Sequence, residues 1–157
     1  MIKNNIFFFL IFLFLNQCGY ETIYSNKNIK FNIKEIKIEN NLNIGRQIKN
    51  RLEIFSSDSP GNVSYILEIN SYFDKTTASK DKQGNPKTFN LNVIVNIIFI
   101  DNKNIERNKS FVESINYNND ENKFNLKKYE NSLIENLTDE IVENLLIFLQ
   151  GFSSEKT

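Results

Sequence analysis

The chain reads as an α+β protein, a two-layer sandwich in which two helices lie on one face of a four-stranded sheet in the order β-α-β-β-β-α. Three observations predict it. Val63, Tyr65, Leu67 and Ile69, and then Phe89, Leu91, Val93, Val95, Ile97 and Phe99, alternate with other residues, the spacing that sends every second side chain to one face of a sheet. Leu126, Tyr129, Leu133, Leu137, Ile141, Leu145 and Phe148 recur at every third or fourth position, the period of an amphipathic helix. Ile44, Ile48, Leu52 and Phe55 form a shorter stripe of the same kind, with Arg46, Lys49, Asn50 and Glu53 facing out.

The elements follow in order. Ile29, Phe31 and Ile33, then Ile36 and Ile38, alternate but change parity in between, as a strand with a bulge does. Asn40 to Asn43 reads as a loop, with Asn43 as the N-cap of the first helix, which ends in the breaker run Ser56-Ser57-Asp58-Ser59-Pro60-Gly61. The two alternating stretches between Val63 and Asp101 predict a long antiparallel hairpin, joined by a polar loop from Asp74 to Lys87 that carries Lys75, Lys80, Lys82 and Lys87. Such a loop is either a functional contact or a solvated tip. A weaker strand runs from Ile105 to about Tyr117, with Arg107, Asn108 and Lys109 suiting a protected edge. Asn116 to Asn125 is a polar loop, and Gly151 closes the last helix. Ile66, Tyr72, Ile94, Ile98 and Ile100 fall at the opposite parity from the core set, so the second face of the sheet is partly apolar, either a partner surface at Ile94 and Ile98 or a face packed on loops.

Composition narrows the chemistry. At 157 residues with 40% hydrophobic residues the chain is one domain, and its 19 basic and 19 acidic residues balance, with no basic or stacked-aromatic motif that would point to nucleic acid. There is no His and one Cys, which removes the usual general base, the commonest metal ligand and any internal disulfide. Carboxylates alone could run a glycosidase-type reaction, but no pair of them shares an apolar setting. The expectation is a protein with no catalytic residues, metal or cofactor.

The N-terminus predicts export. Ile6 to Leu15 is unbroken hydrophobe behind a short polar start with Lys3. As a helix it rises only ~15 Å, about half a bilayer core, which matches the apolar region of a signal peptide spanning residues 1–17. Cys18 follows directly, with Leu15 three residues before it and Gly19 after it, and this resembles the lipidation site of bacterial lipoproteins. Gln17 stands where that pattern has a small residue, and Asn16 is atypical too. The alternative is an unmodified, buried Cys. Residues 18–28 read as a lipidated tether, 29–150 as the α+β domain and 151–157 as a polar tail.

Taken together, Cys18-Gly19-Tyr20-Glu21-Thr22-Ile23-Tyr24 resembles the mature start of the lipopolysaccharide-assembly lipoproteins, the LptE family, with Thr22 where a Pro is common. Gly45-Arg46-Gln47-Ile48-Lys49-Asn50-Arg51-Leu52 is similar to that family's first helix, and the element order agrees over nearly the whole mature chain, although the motifs are short. The resemblance implies a lipoprotein held by its lipid anchor on the periplasmic side of the outer membrane, plugging a large β-barrel partner (LptD) and helping lipopolysaccharide reach the outer leaflet. It implies a lipopolysaccharide contact at Lys82, in Lys82-Gln83-Gly84, with Lys80 and Lys87 in the same loop, and a second at Lys123 or Lys127. The competing expectation is a lipid-anchored accessory subunit of an envelope ABC-type transporter that makes no lipopolysaccharide contact.

Overall fold

The computed structural model describes residues 31–55 and 63–154, with side chains as far as residue 151. β1 (Phe31–Asn40) leads into α1 (Leu42–Leu52) and a short turn of tighter helix (Glu53–Phe55); β2 (Val63–Lys80), β3 (Pro86–Asp101), β4 (Glu106–Asn118) and α2 (Lys123–Ser154) follow. This is the expected β-α-β-β-β-α order. The sheet order is β1-β2-β3-β4, with β1 parallel to β2 and the other neighbours antiparallel. A parallel pair needs a crossover, and α1 supplies it.

Burial follows the two periods. On the sheet's inner face lie Phe31, Ile33, Tyr65, Leu67, Ile69, Leu91, Val93, Val95, Ile97 and Phe99, all buried. Ile44, Ile48, Leu52 and Phe55 from α1 meet them, as do Leu126, Leu133, Leu137, Ile141, Leu145 and Leu149 from α2. The register of β1 slips between Ile33 and Glu35, the bulge that the parity change predicts. Gly45 lets α1 sit close on β1, because a Cβ there would lie 2.2 Å from Ile38 Cγ2. The helices are clasped to each other where Gln47 Nε2 donates to the Glu135 carbonyl (2.9 Å) and Arg51 donates to both carboxylate oxygens of Asp139 (3.1 and 2.8 Å).

Several boundaries differ from expectation. Asn41, not Asn43, caps α1: its backbone is extended and its side chain accepts from the amides of Asn43 (3.1 Å) and Ile44 (3.4 Å), which places Asn43 inside the first turn. The strand before it runs on to Asn40, so the turn is shorter than the expected loop. The loop between β4 and α2 also shrinks, to residues 119–122, with the Asn122 side chain accepting from the amides of Phe124 and Asn125, each at 3.1 Å. Tyr129, assigned to the core stripe, is exposed and touches the rim of the core edge-on to Tyr117. Gly151 does not close α2; the helix runs through it to Ser154. Ile29, the breaker run 56–61, Cys18 and the signal segment lie outside the described residues.

The largest difference is the hairpin. Asp74 to Lys87 is almost entirely strand: Asp74 pairs with Asn92, Lys75 with Leu91, Thr76 with Asn90 and Thr77 with Phe89, leaving Asp81 to Asn85 as the turn. Backbone ladder bonds do not require burial, and Thr suits an extended backbone. The polar run marks a strand whose side chains are mostly exposed, paired with a β3 stretch in which Leu91 is buried.

Candidate functional site

Two surfaces gather the residues that the sequence singled out. The first is the open face of the sheet, opposite the helices. Cross-strand register sets Tyr72, Ile94 and Val112 in one row over three strands. Tyr72 is 46% and Val112 54% exposed, with Ile94 half-buried between them. The next row is polar, Asn70, Asn96 and Ser110, and beyond it Ile98, 39% exposed, lies between Glu68 and Asn108. Ile66, Ile100 and Glu106 form the row after that. Towards β1 the face is polar: Lys37 pairs with Glu68 at 2.9 Å, and Asn40 Nδ2 donates to Asn70 Oδ1 at 2.8 Å. Ile94 and Ile98 are thus on one accessible face but in separate rows.

The second surface is the far tip of the hairpin. Asp81 builds the turn: its Oδ1 accepts from the amides of Gln83 (2.9 Å) and Asn85 (2.8 Å), and Gly84 takes the left-handed backbone (φ 88°) that the turn needs. The Asn85 amide, ahead of the other backbone donors, holds the Asp81 carboxyl below its ordinary range. With that charge fixed inward on the turn, Lys80, Lys82 and Lys87 project around it, all exposed. Asn119 stitches the β4–α2 loop to this tip, its amide donating to the Lys87 carbonyl (2.9 Å) and its side chain to the Pro86 carbonyl (2.8 Å). Lys123 Nζ donates to Asn119 Oδ1 at 3.0 Å, so Lys123 joins Lys87 at the same end of the molecule. Lys127 is exposed one turn further along α2.

Lys75 does not belong to that cluster. Its ammonium lies 3.9 Å from the centre of the Phe89 ring and 2.5 Å from Glu130 Oε1, the oxygen that also accepts from the Tyr117 hydroxyl at 2.6 Å. Burial pushes the Glu130 carboxyl up, but the hydrogen bonds from Lys75 and Tyr117 outweigh it and hold the group below its ordinary range. Burial, and then the bond to Glu130, push the Tyr117 hydroxyl well up, so it stays a donor. This node ties α2 to β2 and β4. Its signal in the sequence is parity: Lys75 and Phe89 both fall on the helix-facing set, which a loop assignment hides.

Among the described residues no cluster of three or more Cys, His, Asp or Glu could hold a metal ion, and no helix is long and apolar enough to cross a membrane. The arrangement offers an apolar-and-polar face and a tip with several exposed lysines alongside Asp81, Asp120 and Glu121.

A mixed four-stranded sheet with two helices on one face is an architecture this chain shares with small bacterial lipoproteins. The similar solved structures include an uncharacterized lipoprotein B from Nitrosomonas europaea (TM-score 0.59, 15% identity, 85% of this chain and 93% of that one). A minor lipoprotein from Acinetobacter baumannii aligns with TM-score 0.56 and 11% identity over 78% of this chain and 91% of that one. Rare lipoprotein B from Shewanella oneidensis aligns with TM-score 0.53 and 14% identity over 78% and 96%. At these identities the likeness is one of fold. No protein-family profile matches the chain, and no curated protein sequence does.

Proposed function

We propose that this protein is a non-catalytic lipoprotein of the outer membrane, anchored through Cys18 on the periplasmic side, whose domain plugs a β-barrel partner of the LptD kind and assists lipopolysaccharide insertion. The observation that carries the reading is the open face, where Tyr72, Ile94 and Val112 line up across three strands while both helices serve the opposite side. An apolar row of this kind on a domain with no catalytic set is explained by a protein partner more readily than by a substrate. The shared fold of bacterial lipoproteins supports the class of protein. The tip lysines, Lys80, Lys82 and Lys87 with Lys123 beside them and Lys127 a turn away, support a contact with the phosphates of an anionic glycolipid.

Enclosure in a barrel implies an obligate interface, upwards of ~2,000 Å² and resistant to salt. Replacing Ile94 or Ile98 with Asp puts a charge on that interface without touching the core set. The expected outcome is loss of co-purification with the native barrel while the isolated domain keeps its thermal midpoint. Co-purification with transporter subunits in place of a barrel, or unfolding of both variants on their own, would overturn the reading.

A further inference from the structure

β1 covers the outer edge of β2 only as far as Ser71, the last residue of their shared register. From Tyr72 to Thr77, where the register with β3 first shifts, β2 is paired on one side alone among the described residues. The direction of its backbone groups follows from one bond: the Ser71 carbonyl accepts from the Asn41 amide (3.1 Å), so it points to the β1 side. Every second residue of a strand aims its N–H and C=O the same way. Phe73, Lys75 and Thr77 therefore present three donors and three acceptors along an edge of ~20 Å.

This edge is less defended than the others, with Asp74 as its one exposed acid. β1 guards its own outer edge with a bulge at Lys34 and with Glu35, Lys37 and Glu39, and β4 carries Glu106, Arg107, Lys109 and Glu113. The one cation on the open part of β2, Lys75, is turned inward to Glu130 and the Phe89 ring. Just past the end of β1 the edge adjoins a cleft of about 280 Å³ whose lining includes Ile44, Gln47, Phe73, Asn131, Ile134 and Glu135. Phe73, 47% exposed, forms its wall on the edge itself.

Among the described residues no segment pairs with that edge. Residues 56–62 join Phe55 to Val63, and Val63 pairs with Phe31 at the other end of the sheet. Seven residues span at most ~25 Å, less than the ~30 Å from Val63 to Tyr72. α2 ends at Ser154, past Phe148, which packs on Phe99 and Phe111 at that same end. With Cys18 lipidated, as proposed above, residues 19–30 would have to pass the whole of β1 before meeting the edge, and 12 residues cannot both cross ~33 Å and pair over ~20 Å.

We infer that Tyr72 to Thr77 is a strand-addition site for an extended segment of another protein, apolar at alternate positions, which continues the line of β1 and places one apolar side chain in the cleft beside Phe73. The surface is distinct from the open face and does not depend on the partner being a barrel.

The probe is a synthetic octapeptide of alternating Ile and Thr, capped at both ends, added to the mature lipidated chain in detergent. Amide exchange at Phe73, Lys75 and Thr77 should slow at least tenfold at saturation, and the same peptide N-methylated at alternate residues should fail to bind in one of its two registers. Thr77→Pro removes an outward N–H and no bond to β3, so it should weaken binding at least tenfold at an unchanged thermal midpoint. Protection arising elsewhere, equal binding by a folded Thr77→Pro, or no saturable binding by the unmodified peptide would overturn the inference. Protection of those three amides that rises with protein concentration alone would assign the edge to a second copy and overturn the foreign strand.

Discussion

The two halves of β2 teach different lessons. From Val63 to Ser71 the strand is paired on both sides, and Tyr65, Leu67, Ile69 and Ser71 are buried in alternation. From Tyr72 to Lys80 it is paired with β3 alone and nearly every residue is exposed. One strand with one continuous ladder thus has a base held by packing and a tip held by hydrogen bonds and a single ionic node. The base can be read from apolar alternation. The tip has almost none, and backbone pairing together with the Lys75–Glu130 node keeps it in place.

Substitution should separate the halves. Leu67 is fully buried, so Leu67→Ala should remove about 2 to 5 kcal/mol of stability through lost transfer energy and the cavity left behind. Thr76→Ala, nine residues further along, should change it by less than about 1 kcal/mol, the span of strand propensity. Denaturant titration of both variants checks this; equal losses would mean that the tip is packed as tightly as the base.

An intermediate effect belongs to Glu130, which couples the polar tip to α2. Glu130→Gln keeps the shape and removes the charge that Lys75 and Tyr117 share, and should cost about 1 to 2 kcal/mol near neutral pH. Because the folded chain holds this carboxyl below its ordinary range, its contribution is full above the unfolded Glu value of about 4.3 and is lost as pH falls through the folded value. The wild type and Glu130→Gln should therefore converge in stability at low pH and diverge above it. Parallel curves across the whole range would show that the node adds nothing linked to ionisation.

These contrasts also show what the sequence could reveal. The core stripes of β3, α1 and α2 write burial directly as period, so the fold class and most buried residues are legible, and even the bulge near Lys34 appears as a parity change. Spacing points to Asn43 and not Asn41 because several Asn residues precede α1 and only geometry selects the one whose side chain faces the free amides. Lys75 reads as part of a loop because a lysine in a polar run looks the same whether its ammonium meets water or an aromatic ring and a carboxylate from another element. The open face was legible as apolar residues at the second parity, while their sorting into rows depends on register, which no single strand records. The grouping of Lys123 with Lys87 rests on Asn119, a contact between distant segments that spacing does not encode.

The smallest expected effect on stability, and the most specific one on binding, is at the tip. Lys80 and Lys82 are exposed, and among the described residues no ion pair involves either of them. The turn beside them does not depend on their charge, because Asp81 is held ionised by hydrogen bonds from Asn85, Gln83 and Gly84 and by no lysine. Replacing both lysines with Glu should therefore shift stability by no more than about 0.5 kcal/mol. Binding to lipopolysaccharide vesicles should fall, since each exposed contact adds only about 0.2 to 1 kcal/mol but two favourable charges become repulsive ones, and the salt dependence of what remains should flatten. Lys123, placed beside Lys87 by Asn119, would still contribute, so the double variant should weaken binding without abolishing it. Unchanged binding at an unchanged melting temperature would return Lys80 and Lys82 to the role of a solvated turn, and would move any lipid contact to the Lys87 and Lys123 side of the tip.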